Sequence, residues 1–211
     1  TLLNHVDVDI LLPGVGDNDC VGASLEDIYA PQKPFPVLYL LHGALDDHTM
    51  WLRHTNIEEF AEKAGLAVVM PSGQNGFYTN AKYGLNYFDF ITKELPLFVQ
   101  KYFPVSTKRE DTYIAGPSMG GYGALKVGLT CPEKFSHVFS LSGALDVMAT
   151  LGSVNDGNRA TPLNPYTGER KFAMDPAAVF GTTDVRGTDA DLFTLAEKVK
   201  AAGKPLPRLF Q

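Results

Sequence analysis

A chain of 211 residues with 45% hydrophobic content is long enough to bury one sizeable core, and it reads as a single domain over 1–211. Its formal net charge of −6 and isoelectric point near 5.3 argue against a nucleic-acid partner or an anionic membrane surface, and no apolar stretch approaches bilayer length. Two cysteines, Cys20 and Cys131, are too few for a disulfide framework and read as thiols of a reducing, cytoplasmic compartment.

In chain order, His5 to Leu12 alternates and then runs apolar, which suits an edge strand of a mixed sheet. Residues 13–35 carry the Gly, Asp and Pro of a loop. Val37 to Leu41 is a continuous apolar run, the pattern of a strand buried on both faces of a parallel sheet, and it ends in His42-Gly43. Thr55 and Glu58 have capping-box spacing, predicting a helix that stops near Gly65. Leu66 to Met70 is the next buried strand, closed by Pro71. An aromatic-rich loop follows, then a helix from about Asn86 to Phe103 that Pro96 should bend or split. Tyr113 to Ala115 and Val138 to Leu141 are further buried strands. Regular patterning lapses over about 144–188, an insertion long enough to cover a site. Thr188 to Asp191 then caps a helix ending at Gly203, and Pro207 to Gln211 opens another strand. This alternation predicts an α/β fold, a mostly parallel, doubly wound sheet with helices on both faces and an irregular cap-like insertion.

Ligands of such sheets bind beyond the carboxyl ends of the strands, where Gly116-Pro117-Ser118-Met119-Gly120 falls. The pattern is G-x-S-x-G between a strand and a helix, the context of a nucleophile elbow. A serine on so sharp a turn needs minimal side chains two residues before and after it. The helix start then offers N–H groups to the anion formed when the serine attacks a carbonyl. Met119 is the first expected oxyanion donor, and Ala44, after Gly43 in the turn beyond Leu41, is the second.

The base is harder to find. Triad partners of an elbow serine follow it in the order acid, then histidine. His137 is the sole histidine after Ser118, and it precedes its strand, at the wrong edge of the sheet. His48 and His54 lie nearer the proper edge but in the wrong chain order, and His5 reads as a surface residue. Asp146, Asp175, Asp184 and Asp191 follow the serine, yet none closes a late strand. Gly43, Trp51, Phe77 and Tyr78 fall in loops at the active edge, where they are expected to touch substrate. Tyr83 shares that loop, and the alternative for these aromatics is packing beneath the insertion. No H-E-x-x-H, cysteine pair or helical histidine pair suggests a metal, and no cofactor is expected.

The blocks VLYLLHGALDDHTMWLRHTNIE, VVMPSGQNGFYTNAKYG, ELPLFVQKYFP, IAGPSMGGYGALK and KFSHVFSLSGAL together resemble the esterase D-like esterases, and most nearly the bacterial tributyrin esterases. That resemblance implies an α/β-hydrolase fold and a serine carboxylesterase hydrolysing short-chain acyl esters through an acyl-serine. Ser118 would be the nucleophile, with Ala44 and Met119 at the oxyanion. It also implies an aspartate and a histidine after the strand that PRLFQ begins, so the triad Asp and His are expected beyond Gln211 and the domain is expected to lack its C-terminal strand and helix segment. The alternatives are an acyltransferase, a feruloyl or acetyl-xylan esterase, an S-formylglutathione hydrolase, or a non-catalytic binding protein on the same fold. The expected partner is a small-molecule ester, and the sequence leaves room for a homo-oligomer.

Overall fold

The computed structural model describes residues 1–14, 16, 20–29, 33–150 and 176–211. Most of the predicted insertion, residues 151–175, lies outside the described residues, and Asp175 with it.

Six strands form one sheet: β1 (Val8–Leu11), β2 (Val37–Leu40), β3 (Ala67–Pro71), β4 (Thr112–Pro117), β5 (His137–Leu141) and β6 (Arg208–Phe210). Their spatial order is β1-β3-β2-β4-β5-β6. β1 pairs antiparallel with β3 at one edge, and the other four pairings are parallel. β3 is buried at every position because helices cover both faces of the sheet, which explains its unbroken apolar sequence. One core cluster holds Tyr39, Leu41, Tyr78, Ile114, Tyr122 and Val138, and a smaller one on Leu40, Val68 and Met70 takes up Trp51 and Ile57.

The short helices α1 (Leu25–Ile28) and α2 (Met50–His54) are followed by α3 (Ile57–Ala64), which ends on Gly65 at φ 59° as its glycine predicts. The expected capping box does not form. Thr55 Oγ1 instead donates to Trp51 O at 2.6 Å, closing α2, and Asn56 becomes the uncapped start of α3. The two helices abut too closely for one threonine to serve both.

The helix predicted around Pro96 is split. α4 (Tyr87–Asp89) widens into a π turn at Phe90–Glu94 before α5 (Leu95–Tyr102), so Pro96 stands in the first turn of α5, where its missing N–H breaks no ladder. The central α6 (Met119–Thr130) is buried from Met119 to Leu129. α7 (Pro176–Phe180) and α8 (Leu192–Ala201) complete the described helices. Asp191, not Thr188, caps α8: its carboxylate accepts from the N–H of Phe193 at 3.1 Å and from Thr194 Oγ1 at 2.6 Å. No described helix is long and apolar enough to cross a membrane.

Candidate active site

Ser118 joins β4 to α6 with its backbone at φ 48°, ψ −116°. A non-glycine residue there is strained, and persists only where its surroundings over-determine it. Three hydrogen bonds do so. Ser118 N–H donates to Leu141 O at 3.0 Å, and its carbonyl accepts from the N–H groups of Tyr122 and Ala144, both at 3.1 Å. The ends of β5 and α6 thus clamp the elbow. A Cβ on Gly116 would stand 2.6 Å from the Gly120 carbonyl carbon, and one on Gly120 would stand 2.7 Å from His42 O. Both clashes are with backbone, so only glycine lets the strand, the helix and the β2 turn meet.

That approach brings the turn after β2 beside Ser118. A Cβ built on Gly43 would be 3.9 Å from Ser118 Cβ. The N–H groups of Ala44 and Met119 donate to no acceptor among the described residues. Met119 opens a twelve-residue helix, so its N–H is an orphan donor at the positive end of the helix dipole. The Ser118 hydroxyl, too, makes no hydrogen bond among the described residues. A free hydroxyl with unspent donors nearby can attack a carbonyl and receive the resulting oxyanion.

The β2 turn is held by residues that sequence reading put in other roles. His42 is 1% exposed; its Nδ1–H donates to Gly43 O at 2.6 Å and its Nε2 accepts from Gly73 N–H at 2.7 Å. Desolvation lowers its pKa, outweighing its bond to Gly43 and the nearby Asp46 and Asp47. Tyr78 Oη accepts from His42 N–H at 2.9 Å and donates to His42 O at 3.0 Å. From the other core cluster, Trp51 Nε1–H donates to Leu41 O at 2.9 Å. Tyr78 is fully buried and Phe77 is 3% exposed, its ring edge-on to Tyr122 and Phe180. Phe77 and Tyr78 therefore do not line an open pocket as expected: apolar burial has drawn them under the loop, where Tyr78 braces the turn after β2. Trp51 is a partly buried brace of the same kind, and Gly43 remains at the site. Tyr83 is exposed.

All five histidines are described, and none reaches Ser118 by a hydrogen bond. His42 has both ring nitrogens engaged. His48 Nδ1 bonds Ser72 Oγ at 2.9 Å, with Nε2 3.9 Å from Asp9. His137 opens β5 and stacks on Phe139 and Phe210, while Ser118 is tied to Leu141 at the far end, roughly 13 Å away along the strand. His5 and His54 are exposed. The acids are also occupied: Asp184 binds Arg186, Asp191 caps α8, and Asp146 accepts from Ala149 N–H. Among the described residues no group of three His, Cys, Asp or Glu could hold a metal.

Beyond Ala144, whose N–H binds Ser118 O, opens a cavity of about 560 Å³ lined by Leu145, Val147, Met148 and Val185, with Asp146 and Arg186 among its polar groups. Sequence reading missed it, because its walls come from the two ends of the irregular stretch and carry no periodic signal.

A family model described as Putative esterase matches residues 21–193. An acetyl esterase of Caldicellulosiruptor saccharolyticus is 34% identical over 175 residues; the match takes in 82% of this chain but only 62% of that relative's length. Among solved structures, the substrate-bound fluorophosphonate-binding serine hydrolase F of Staphylococcus aureus superposes with TM-score 0.80 at 32% identity, over 99% of this chain and 73% of its own. The S-formylglutathione hydrolase of Staphylococcus aureus gives 0.71 at 30%, over 98% and 78%. Those neighbours, like this sheet, have the α/β-hydrolase architecture.

Proposed function

The chain belongs to the Esterase family, and on that premise we propose that it is a serine carboxylesterase acting on small-molecule, short-chain acyl esters through an acyl-serine. The observation that carries this reading is the strained, clamped Ser118 beside the unspent N–H donors of Ala44 and Met119. In the first half-reaction Ser118 Oγ bonds to the ester carbonyl carbon as its proton passes to a base. The carbonyl oxygen becomes an oxyanion held by those two N–H groups, and the alcohol leaves with the proton. Water then attacks the acyl-serine, the acid departs, and Ser118 regains its proton.

His42, His48 and His137 do not serve as that base in this reading: the first two are engaged by Gly43, Gly73 and Ser72, and the third stacks on Phe210 at the far end of β5. The short-chain reading is supported by the cavity that starts at Leu145, next in sequence to the Ala144 that binds Ser118 O, with Val147, Met148 and Val185 as its apolar wall. The two-cysteine composition supports a cytoplasmic location.

The test is turnover of p-nitrophenyl esters. Ser118→Ala should lower kcat/KM for the butyrate by several powers of ten, as loss of a triad member does. Rates should fall from butyrate to palmitate. Wild-type turnover in Ser118→Ala removes the nucleophile assignment, and a preference for palmitate removes the short-chain one.

A further inference from the structure

Lys126 lies two turns beyond Ser118 on α6, and the chemistry at Ser118 has no use for it. The residue is 4% exposed. Its Nζ donates to Thr79 Oγ1 at 2.5 Å and stands 5.4 Å from the Phe88 ring centroid and 5.9 Å from that of Tyr122. Among the described residues no carboxylate comes within ion-pair distance of it. Asp189 acts on it only from farther off, its carboxylate 3.1 Å from Lys198 Nζ on exposed side chains. Burial drives the ammonium down to about 8, with Asp189 opposing weakly. An ammonium buried without a carboxylate is less favourable than an apolar residue of the same length, so packing alone gives no reason for the charge.

The ammonium borders a cavity of about 620 Å³ with apolar walls from Phe88, Leu129, Phe180, Leu195 and Val199. We propose that this cavity is a second ligand site, for a small monocarboxylate with an aliphatic or aromatic tail: the carboxylate pairs with Lys126 and the tail lies on the apolar wall. Asp89, Asp189, Lys198 and Lys204 line the same cavity, but Asp89 pairs with Lys93 and Asp189 with Lys198, and both Lys198 and Lys204 are exposed, so Lys126 is the buried cation of the lining. The site is separate from Ser118, so its fate leaves the nucleophile assignment untouched.

Calorimetric titration of the purified protein with hexanoate, 1-hexanol and inorganic phosphate tests it. Hexanoate should bind saturably, hexanol at least about tenfold more weakly, and phosphate not at all. Lys126→Met should weaken hexanoate by about tenfold or more while leaving hexanol binding unchanged. Should that variant unfold by circular dichroism, Ala202→Trp, at an exposed position of the cavity lining, fills the mouth without disturbing the core and should abolish hexanoate binding. Ser118→Ala should retain it in full. Absence of saturable hexanoate binding, equal affinity for hexanoate and hexanol, or binding unchanged in a folded Lys126→Met or in Ala202→Trp overturns the proposal.

Discussion

At His42 the ring has to be neutral, because Nδ1–H donates to Gly43 while Nε2 accepts from Gly73 N–H. Protonation would turn Nε2 into a donor facing another donor in a buried site. Burial accordingly lowers the pKa below its ordinary 6.5. Below that value the unfolded chain takes up a proton that the folded chain refuses, so stability is lost as pH falls through 6.5 towards the lower folded pKa. His42→Gln, which does not titrate, supplies the comparison. In urea unfolding, the advantage of the wild type over this variant should be largest above about pH 7 and shrink as pH falls through the histidine range. An advantage that grows on acidification would mean that the ring is charged in the fold. The elbow glycines make a second residue-scale case. Gly120→Ala forces a methyl to 2.7 Å from His42 O, and should cost about 1–3 kcal/mol or more, measured by the same unfolding. An unchanged unfolding midpoint would show that the turn and helix can separate freely.

Among the elements, the buried strands were plain in the sequence because both their faces are covered. Val37–Leu40 and Ala67–Pro71 have no solvent side to mark with polar residues, so each is a continuous apolar run. Caps were less plain. Thr55 with Glu58 and Thr188 with Asp191 have equal claim to a capping box on spacing, yet neither threonine caps the helix that follows it. Asp191 sits directly before α8 and gathers the N–H groups of Phe193 and Gly187 as well as Thr194 Oγ1. Burial pushes its carboxyl pKa up, but these bonds together outweigh that and hold it below the ordinary value. Asp191→Ala should therefore cost about 1 kcal/mol and lower Tm by roughly 2–4 °C, whereas Thr188→Val should cost less. The reverse ranking in thermal melts would reinstate Thr188 as the cap. The π turn at Phe90–Glu94 could not be read in advance, since a proline announces a break without saying how the chain relieves it.

Across the whole molecule, parallel pairing sets the ends of β2, β3, β4 and β5 along one edge. Strain gathers there: Leu45, Gln74, Phe77, Tyr78, Ser118 and Ser142 all have positive φ. G-x-S-x-G announced Ser118 because its glycines answer a steric need that local sequence expresses. The roles of Trp51, Phe77 and Tyr78 were not legible, since a loop position says nothing of whether a ring turns outward or is drawn under the turn. Lys126 was hidden for the opposite reason, as a helical lysine ordinarily marks a solvated face. The partners of Ser118 depend on contacts between distant segments, which no local pattern carries.

The central claim is that Ser118 is a nucleophile served by an oxyanion site, and covalent capture tests it most directly. Incubation with a fluorophosphonate, followed by intact-mass measurement and peptide mapping, should give one adduct per chain, on the peptide containing Gly116 to Gly120, and none in Ser118→Ala. An unmodified Ser118 in folded protein, or an adduct of equal yield in Ser118→Ala, would contradict the account.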